Sequence, residues 1–308
     1  MRLFATTRRA SVASLGEERL IASIRRWLGS AAPPSPFGIG DDCAVLRPSR
    51  GRRLITVDAV VHGIHFDGRT QPRAAGAKLL KRNLSDIAAM GGRPRAAVVA
   101  LALDGRVSRA WLAEFHRGLA AESRRHRVPV VGGDVARLPG GFVATLTLVG
   151  DAPRRILTRS GARPGDRIYV TGELGRSLPT GHHHRFRPRL AEGAWLSRRS
   201  EVRALMDVSD GLAKDLRALT PGRCEARIET SELPRRDGAT VREALCDGED
   251  YELVFAAAAR SRADALEAAW RRAFPRTRLT CIGRFERTGR ARGGLRGMGT
   301  LRGYEHLR

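Results

Sequence analysis

An α/β (α+β) fold in two domains is predicted for this chain by three observations. Its 308 residues allow about two domains at roughly 150 residues each, and 42% of them are hydrophobic, enough for substantial cores. Segments whose apolar residues recur at helical spacing alternate with short Val-, Ile- and Leu-rich runs, the pattern of a sheet covered by helices. A turn-rich stretch over 150–165, containing ARPGD, interrupts this alternation near mid-chain. The expected organisation is a variable or disordered, Arg/Ser-rich extension over 1–16, a first domain over 17–150 and a second over 151–308.

The elements follow in order. Leu20, Ile21, Ile24, Trp27 and Leu28 fall on one helical face, and Gly29 is placed to end that helix. A Pro-rich loop leads through GIGDDCAVL to a strand over 54–58 and a helix over about 73–90, closed by Gly91 and Gly92. The run 96–103 reads as a buried strand, and Ser108 as the cap of a helix carrying Trp111, Leu112, Phe115 and Leu119. A strand beginning at 129–131 runs into GGD, and FVATLTLVG returns the chain. In the second half RIYVTG, 226–228, 252–255 and 279–282 read as strands, and 210–219 and 261–273 as helices. From 173 to 200 the pattern is poor.

The net charge of +24 raises the question of a nucleic-acid partner. With 53 arginines against three lysines spread along the chain, and only 5% aromatic residues, there is neither a clustered patch nor a stacking platform, and no nucleic acid is expected. The longest apolar run has eight residues, short of the ~20 that span a membrane, so no membrane association is expected. Cys43, Cys224, Cys246 and Cys281 lie far apart without metal-type spacing, and a cytoplasmic location is the expectation.

The 32 acidic residues carry the main signal. Several sit in tight Gly- or Ser-flanked pieces: GDD at 40–42, TVD at 56–58, NLSD at 83–86, GGD at 132–134, DVSDG at 207–211 and GED at 248–250. Carboxylates at strand ends converge on hard cations such as Mg²⁺, which takes oxygen ligands at about 2.0–2.1 Å and keeps substrate phosphates among them. Each aspartate taken singly is equally at home as a turn residue or helix cap. P-loop, dinucleotide-binding, protein-kinase and serine-hydrolase signatures are missing. Adjacent side chains diverge, so His182, His183 and His184 read as an exposed loop rather than a chelating site.

GIGDDCAVL, the strand ending in Asp58 followed by HGIHF, NLSDIAAMGGRP, VVGGD, LTRSGARPGDRIYVTG, DVSDGL and GEDYELVF occur in this order. The ordered set resembles the thiamine-monophosphate kinase family, within the aminoimidazole-ribonucleotide-synthetase-like ATP-binding superfamily. The resemblance runs from about residue 17 to 304. It implies a first domain that forms a homodimer through its sheet, an α+β second domain, and ATP and thiamine monophosphate as substrates. It also implies several Mg²⁺ ions and direct in-line transfer of the γ-phosphoryl group to give thiamine diphosphate. Carried over by position, it makes Asp42, Thr56, Asp58, Asp86, Asp134, Asp207 and Asp210 metal ligands, some through water, with Asp41 shaping its turn. Gly133, Asp134, Arg159 and Ser209 would meet ATP, and His65 and Glu249 thiamine monophosphate. Lys78 is either a further phosphate contact or a surface lysine.

The sequence departs from that family in several places. Val57 stands where a second hydroxyl residue is usual, and Leu301 stands where an aromatic residue commonly precedes the Arg302-Gly303-Tyr304 element. Lys81-Arg82 replaces an apolar pair, and the segment between Gly172 and Asp207 is shorter than usual. The alternatives within the superfamily are less well matched. A selenophosphate synthetase would call for a reactive cysteine before Cys43, and a hydrogenase-maturation relative for a terminal cysteine where Leu307-Arg308 stands.

Overall fold

The structure, a computed structural model, describes residues 1–34, 37–39, 44–46, 48, 51–259, 263–288, 301 and 303–305. The chain divides into two compact units, Met1–Ile87 with Arg93–Asp151 and Ala88–Gly92 with Ala152–Arg308.

The first unit contains α1 (Glu17–Leu28), β1 (Arg53–Val61), most of α2 (Pro72–Ala89), β2 (Arg93–Leu103), α3 (Arg109–His126), β3 (Val130–Arg137) and β4 (Phe142–Asp151). Gly29 ends α1 with φ 56°, and the Ser108 hydroxyl accepts the Trp111 N–H at the start of α3, as their positions predict. The sheet runs β1-β4-β2-β3, with β2 and β3 parallel and the other pairs antiparallel. Alternation decides its faces. Val60, Leu101, Leu103, Ala144, Leu146 and Leu148 are buried, while Ile55, Val57 and Val98 on the opposite face are 74%, 59% and 39% exposed. The core is aromatic, with Trp111 stacked between Phe66 and Phe115 and Phe142 meeting all three edge-on.

The first sixteen residues are not a disordered extension. Leu3 and Val12 are buried, and the backbone of this segment pairs with the turn before α3 through Ser108 N–H to Leu3 and Val12 N–H to Val107. Among the arginines, a few apolar side chains and an unpaired stretch of backbone suffice to dock it.

The second unit contains β5 (Arg167–Thr171), α4 (His182–Arg185), α5 (Leu190–Leu196), β6 (Val202–Val208), α6 (Leu212–Leu219), β7 (Cys224–Ile228), α7 (Val241–Cys246), β8 (Glu252–Ala257), α8 (Ala263–Ala273) and β9 (Leu279–Arg287). Its antiparallel sheet runs β6-β8-β5-β9-β7 and carries a core on each face. Ile168, Val170, Met206 and Val254 lie on one face, and Tyr169, Leu205, Leu253 and Phe255 on the other. Among the described residues no helix is long and apolar enough to cross a membrane.

Candidate active site

In the first unit, β1 turns Thr56, Asp58 and Val60 toward the helices, and the Thr56 hydroxyl bonds the Asp86 carboxylate of α2. Asp58 pairs with the half-buried Arg82 at 3.3 Å. Val57 points to the other face, so a hydroxyl there would not join Thr56 and Asp58. Asp134 lies on β3, the opposite edge of the sheet. Three inter-strand steps of about 4.8 Å put the two edges ~14 Å apart, so one chain does not gather Asp134 with Thr56, Asp58 and Asp86 around a single ion. Gly133 has a structural reason to be glycine, since a Cβ there would stand 2.0 Å from the Val99 carbonyl oxygen. Asp41 and Asp42 lie outside the described residues.

After β1 the chain turns through Gly63, at φ 85°, and presents His65. The Nδ1 of His65 accepts the Val61 N–H at 3.1 Å, which fixes the proton of a neutral ring on Nε2. Lys78 is not a surface lysine. It is fully buried, and its ammonium donates to the His65 carbonyl at 2.8 Å, tying the histidine turn to α2.

The second unit brings its expected residues together. Asp207 and Val208 at the end of β6 pair with Leu253 and Glu252 of β8, which sets the turn Ser209-Asp210-Gly211 against the turn Gly248-Glu249-Asp250. Glu249 N–H donates to the Ser209 carbonyl at 2.7 Å, and Tyr251 N–H to that of Val208 at 2.8 Å. Asp207 is 2% exposed, whereas Asp210 is half-buried and paired with Lys214 at 2.6 Å. Arg159 is exposed on a single 3₁₀ turn that runs beside β6, where Leu205 N–H reaches the Thr158 carbonyl. Tyr304 N–H donates to the Asp210 carbonyl at 2.8 Å, while Leu301 packs against the core. That placement explains an aliphatic residue there. Arg302 lies outside the described residues.

Two buried carboxylates that organise these turns, Asp215 and Asp250, were given no role of their own by the sequence. Asp215 on α6 accepts the Ser209 and Asp210 N–H groups, each at 3.0 Å, and burial with the neighbouring Asp207 charge pushes its carboxyl up to about 7. Asp250 is fully buried, accepts the Gly175 N–H and pairs with Arg236 at 3.0 Å; burial raises it to about 7. It is flanked by Glu249 and Tyr251, both in the left-handed region at φ 65° and 53°, a costly arrangement for side-chain-bearing residues. The three histidines are not a loose loop. They form α4, and His182 Nε2 lies 3.1 Å from the Asp250 carbonyl, with Ser177 Oγ donating to the Glu249 carbonyl at 2.6 Å.

Thr56, Asp58, Asp86, Asp134, Asp207 and Asp210 offer hard oxygen donors, which is the chemistry Mg²⁺ takes. Among the described residues no three His, Cys, Asp or Glu side chains form a metal-holding group. The donor types fit the ion, and a single described chain supplies them in separate sets.

The fold and these turns define a class before a family: residues 40–152 match the AIR synthase related protein, N-terminal domain. A thiamine-monophosphate kinase from Rhodopirellula baltica is 36% identical over 247 residues, 73% of this chain and 77% of that protein. The crystal structure of thiamine-monophosphate kinase from Stenotrophomonas maltophilia K279a superposes with a TM-score of 0.73 at 31% identity, covering 92% of this chain and 97% of the other. The structure of AaThiL complexed with AMPPCP and TMP superposes at 0.71 and 26% identity, covering 96% and 98%. The chain belongs to the thiamine-monophosphate kinase family.

Proposed function

We propose that this protein transfers the γ-phosphoryl group of ATP to the phosphate of thiamine monophosphate, forming thiamine diphosphate and ADP. One observation carries the reading: in a chain of this family, the turns bearing Asp207, Ser209, Asp210 and Glu249 are hydrogen-bonded to one another. Asp215 holds the first turn by its backbone N–H groups, leaving the half-buried Asp210 carboxylate free of the turn's own hydrogen bonds and paired with Lys214. His65 would contact the substrate phosphate, and the Glu249 carboxylate suits the cationic thiazolium. Arg159 offers its guanidinium fork to ATP phosphates. Mg²⁺ held by Thr56, Asp58, Asp86, Asp134, Asp207, Asp210 and Asp42 would screen the repulsion between two phosphates and stabilise the leaving diphosphate. The acceptor phosphate is ionised near neutral pH, so no strong base is called for and transfer is direct.

We further propose a homodimer. The sheet of the first unit has two edges and one open apolar face, with Ile55, Val57 and Val98 on it. Two copies joined edge to edge, β1 against the second copy's β3, close eight strands into a barrel whose interior these side chains fill. The same joint brings the β1-edge carboxylates of one copy toward the β3 edge of the other. That meeting supplies the acids that one chain keeps ~14 Å apart.

The test is direct. Purified protein with ATP, Mg²⁺ and thiamine monophosphate should release thiamine diphosphate and ADP in equal amounts. ADP without the diphosphate contradicts the reading.

A further inference from the structure

The turn that presents His65 has little burial of its own. Gly63 sits at φ 85° and Ile64 is 59% exposed. Backbone bonds set its path: His62 N–H donates to the Phe142 carbonyl at 3.0 Å, Gly63 N–H to that of Phe66 at 2.8 Å and His65 N–H to that of Val61 at 2.9 Å. At its far end Phe66 is sunk in the aromatic core. At its near end the ring of His62 meets two others, 5.5 Å from Phe66 and 6.0 Å from Phe4, the second edge-on at 89°.

Phe4 belongs to the N-terminal segment, and that segment is itself held. Phe4 bridges to Val107, Ala5 N–H donates to the Arg106 carbonyl at 2.8 Å, and the neighbouring Leu3 is buried. The Phe4 ring is half-buried, with the Arg106 guanidinium over it at 5.5 Å. That guanidinium forks onto the Asp104 carboxylate at 3.0 and 3.2 Å, and Asp104 accepts the Gly140 N–H at 2.6 Å. A continuous line of contacts therefore runs from the turn between β3 and β4 through Asp104, Arg106 and Phe4 to His62, three residues before His65.

We propose that Phe4 is a positioning residue for the acceptor substrate: through His62 it holds the turn on which His65 meets the phosphate of thiamine monophosphate. The inference rests on the phosphotransfer reading above and names what keeps that turn in place. A turn free to move must be ordered before it can grip a phosphate, so apparent affinity falls with the fraction of chains in which the turn is already set. One edge-to-face aromatic pair shifts such an equilibrium about two- to tenfold. The effect falls on the acceptor, since neither the nucleotide nor the transfer step passes through this contact.

Steady-state kinetics of full-length variants, read beside hydrogen exchange without substrates, tests the assignment. Phe4→Leu keeps an apolar side chain but removes the ring. It should raise KM for thiamine monophosphate about two- to tenfold, with kcat and KM for ATP within about twofold. Phe4→Tyr keeps the ring and should restore the wild-type KM. His62→Leu should raise the same KM, and the double leucine variant should be no worse than the poorer single, because both changes break one contact. In exchange, amides over 62–66 should lose protection in Phe4→Leu while those of β2 and β4 keep theirs. An unchanged KM in Phe4→Leu, a loss that Phe4→Tyr does not restore, or additive single effects overturns the proposal; so does exchange that is unchanged over 62–66 or faster throughout the sheet. A wild-type chain that makes no thiamine diphosphate overturns the kinase reading, and exchange over 62–66 then decides by itself whether Phe4 holds the turn.

Discussion

The two sheets of the molecule are finished differently. The second unit's sheet is buried on both faces, with Val254 and Phe255, neighbours on β8, each in a different core. The first unit's sheet has one buried face and one that leaves Ile55 and Val57 in the open. Acidic residues follow the same division. In the second unit Asp250 and Glu252 are buried and bonded to Arg236 and Arg189. In the first, Asp58 and Asp134 lie on the two sheet edges. In the second unit buried acids such as Asp215 and Asp250 accept backbone N–H groups and fix turns, whereas Asp58 and Asp134 of the first unit stand on edge strands.

The contrast can be broken at its strongest point first. Phe255→Ala empties a fully buried site and should cost about 3–5 kcal/mol in urea unfolding of the second unit, whereas Ile55→Ala should cost less than about 0.5 kcal/mol in the isolated chain. Next comes pH. His116 is held down by burial from 6.5 to about 4, so the neutral ring stabilises the first unit fully above pH 6.5, and about 3 kcal/mol is lost as pH falls from 6.5 through 4. Asp250 is pushed up from 3.8 to about 7, so its contribution to the second unit is complete below pH 3.8 and is lost as pH rises through 7. Hydrogen exchange compared at pH 7 and pH 5 should show α3 losing protection and β8 gaining it; parallel shifts in both would contradict the assignment.

Smaller effects sharpen the comparison. Val57→Asp puts a charge on the open face and should shift a dimer to monomer by about 2 kcal/mol or more in sedimentation, with the fold retained. Asp215→Asn keeps an acceptor for the Ser209 and Asp210 N–H groups but weakens it, and should raise the Mg²⁺ concentration for half-maximal activity about threefold while the circular dichroism stays unchanged.

Much of this was legible in the sequence. β1, α2, β2, α3, β3 and β4 follow from apolar spacing, caps and turns, since each has one face in a core and one outside it. β6 was not, because its residues from Ala204 on are buried on both sides and show no alternation. α7 announces itself in the capping box Thr240-x-x-Glu243, a signal that was available. The roles of Lys78 and Asp250 were hidden for a physical reason. A buried charge is tolerated only where a carbonyl or guanidinium meets it, and those partners lie 13 residues away in one case and 14 in the other. The edge positions of Asp58 and Asp134 depend on strand order, which spacing along the chain does not encode.

If the acids of the first unit serve one site only when two copies meet, as the proposed homodimer requires, two inactive variants should complement each other on co-expression. Asp58→Asn damages the β1 edge and Asp134→Asn the β3 edge. In a mixed dimer joined β1 to β3, one joint carries both defects and the other carries none. Co-expressed variants should therefore recover about a quarter of wild-type activity, given random two-fold pairing, while each alone stays inactive. Activity no higher than that of the separate variants would contradict the account.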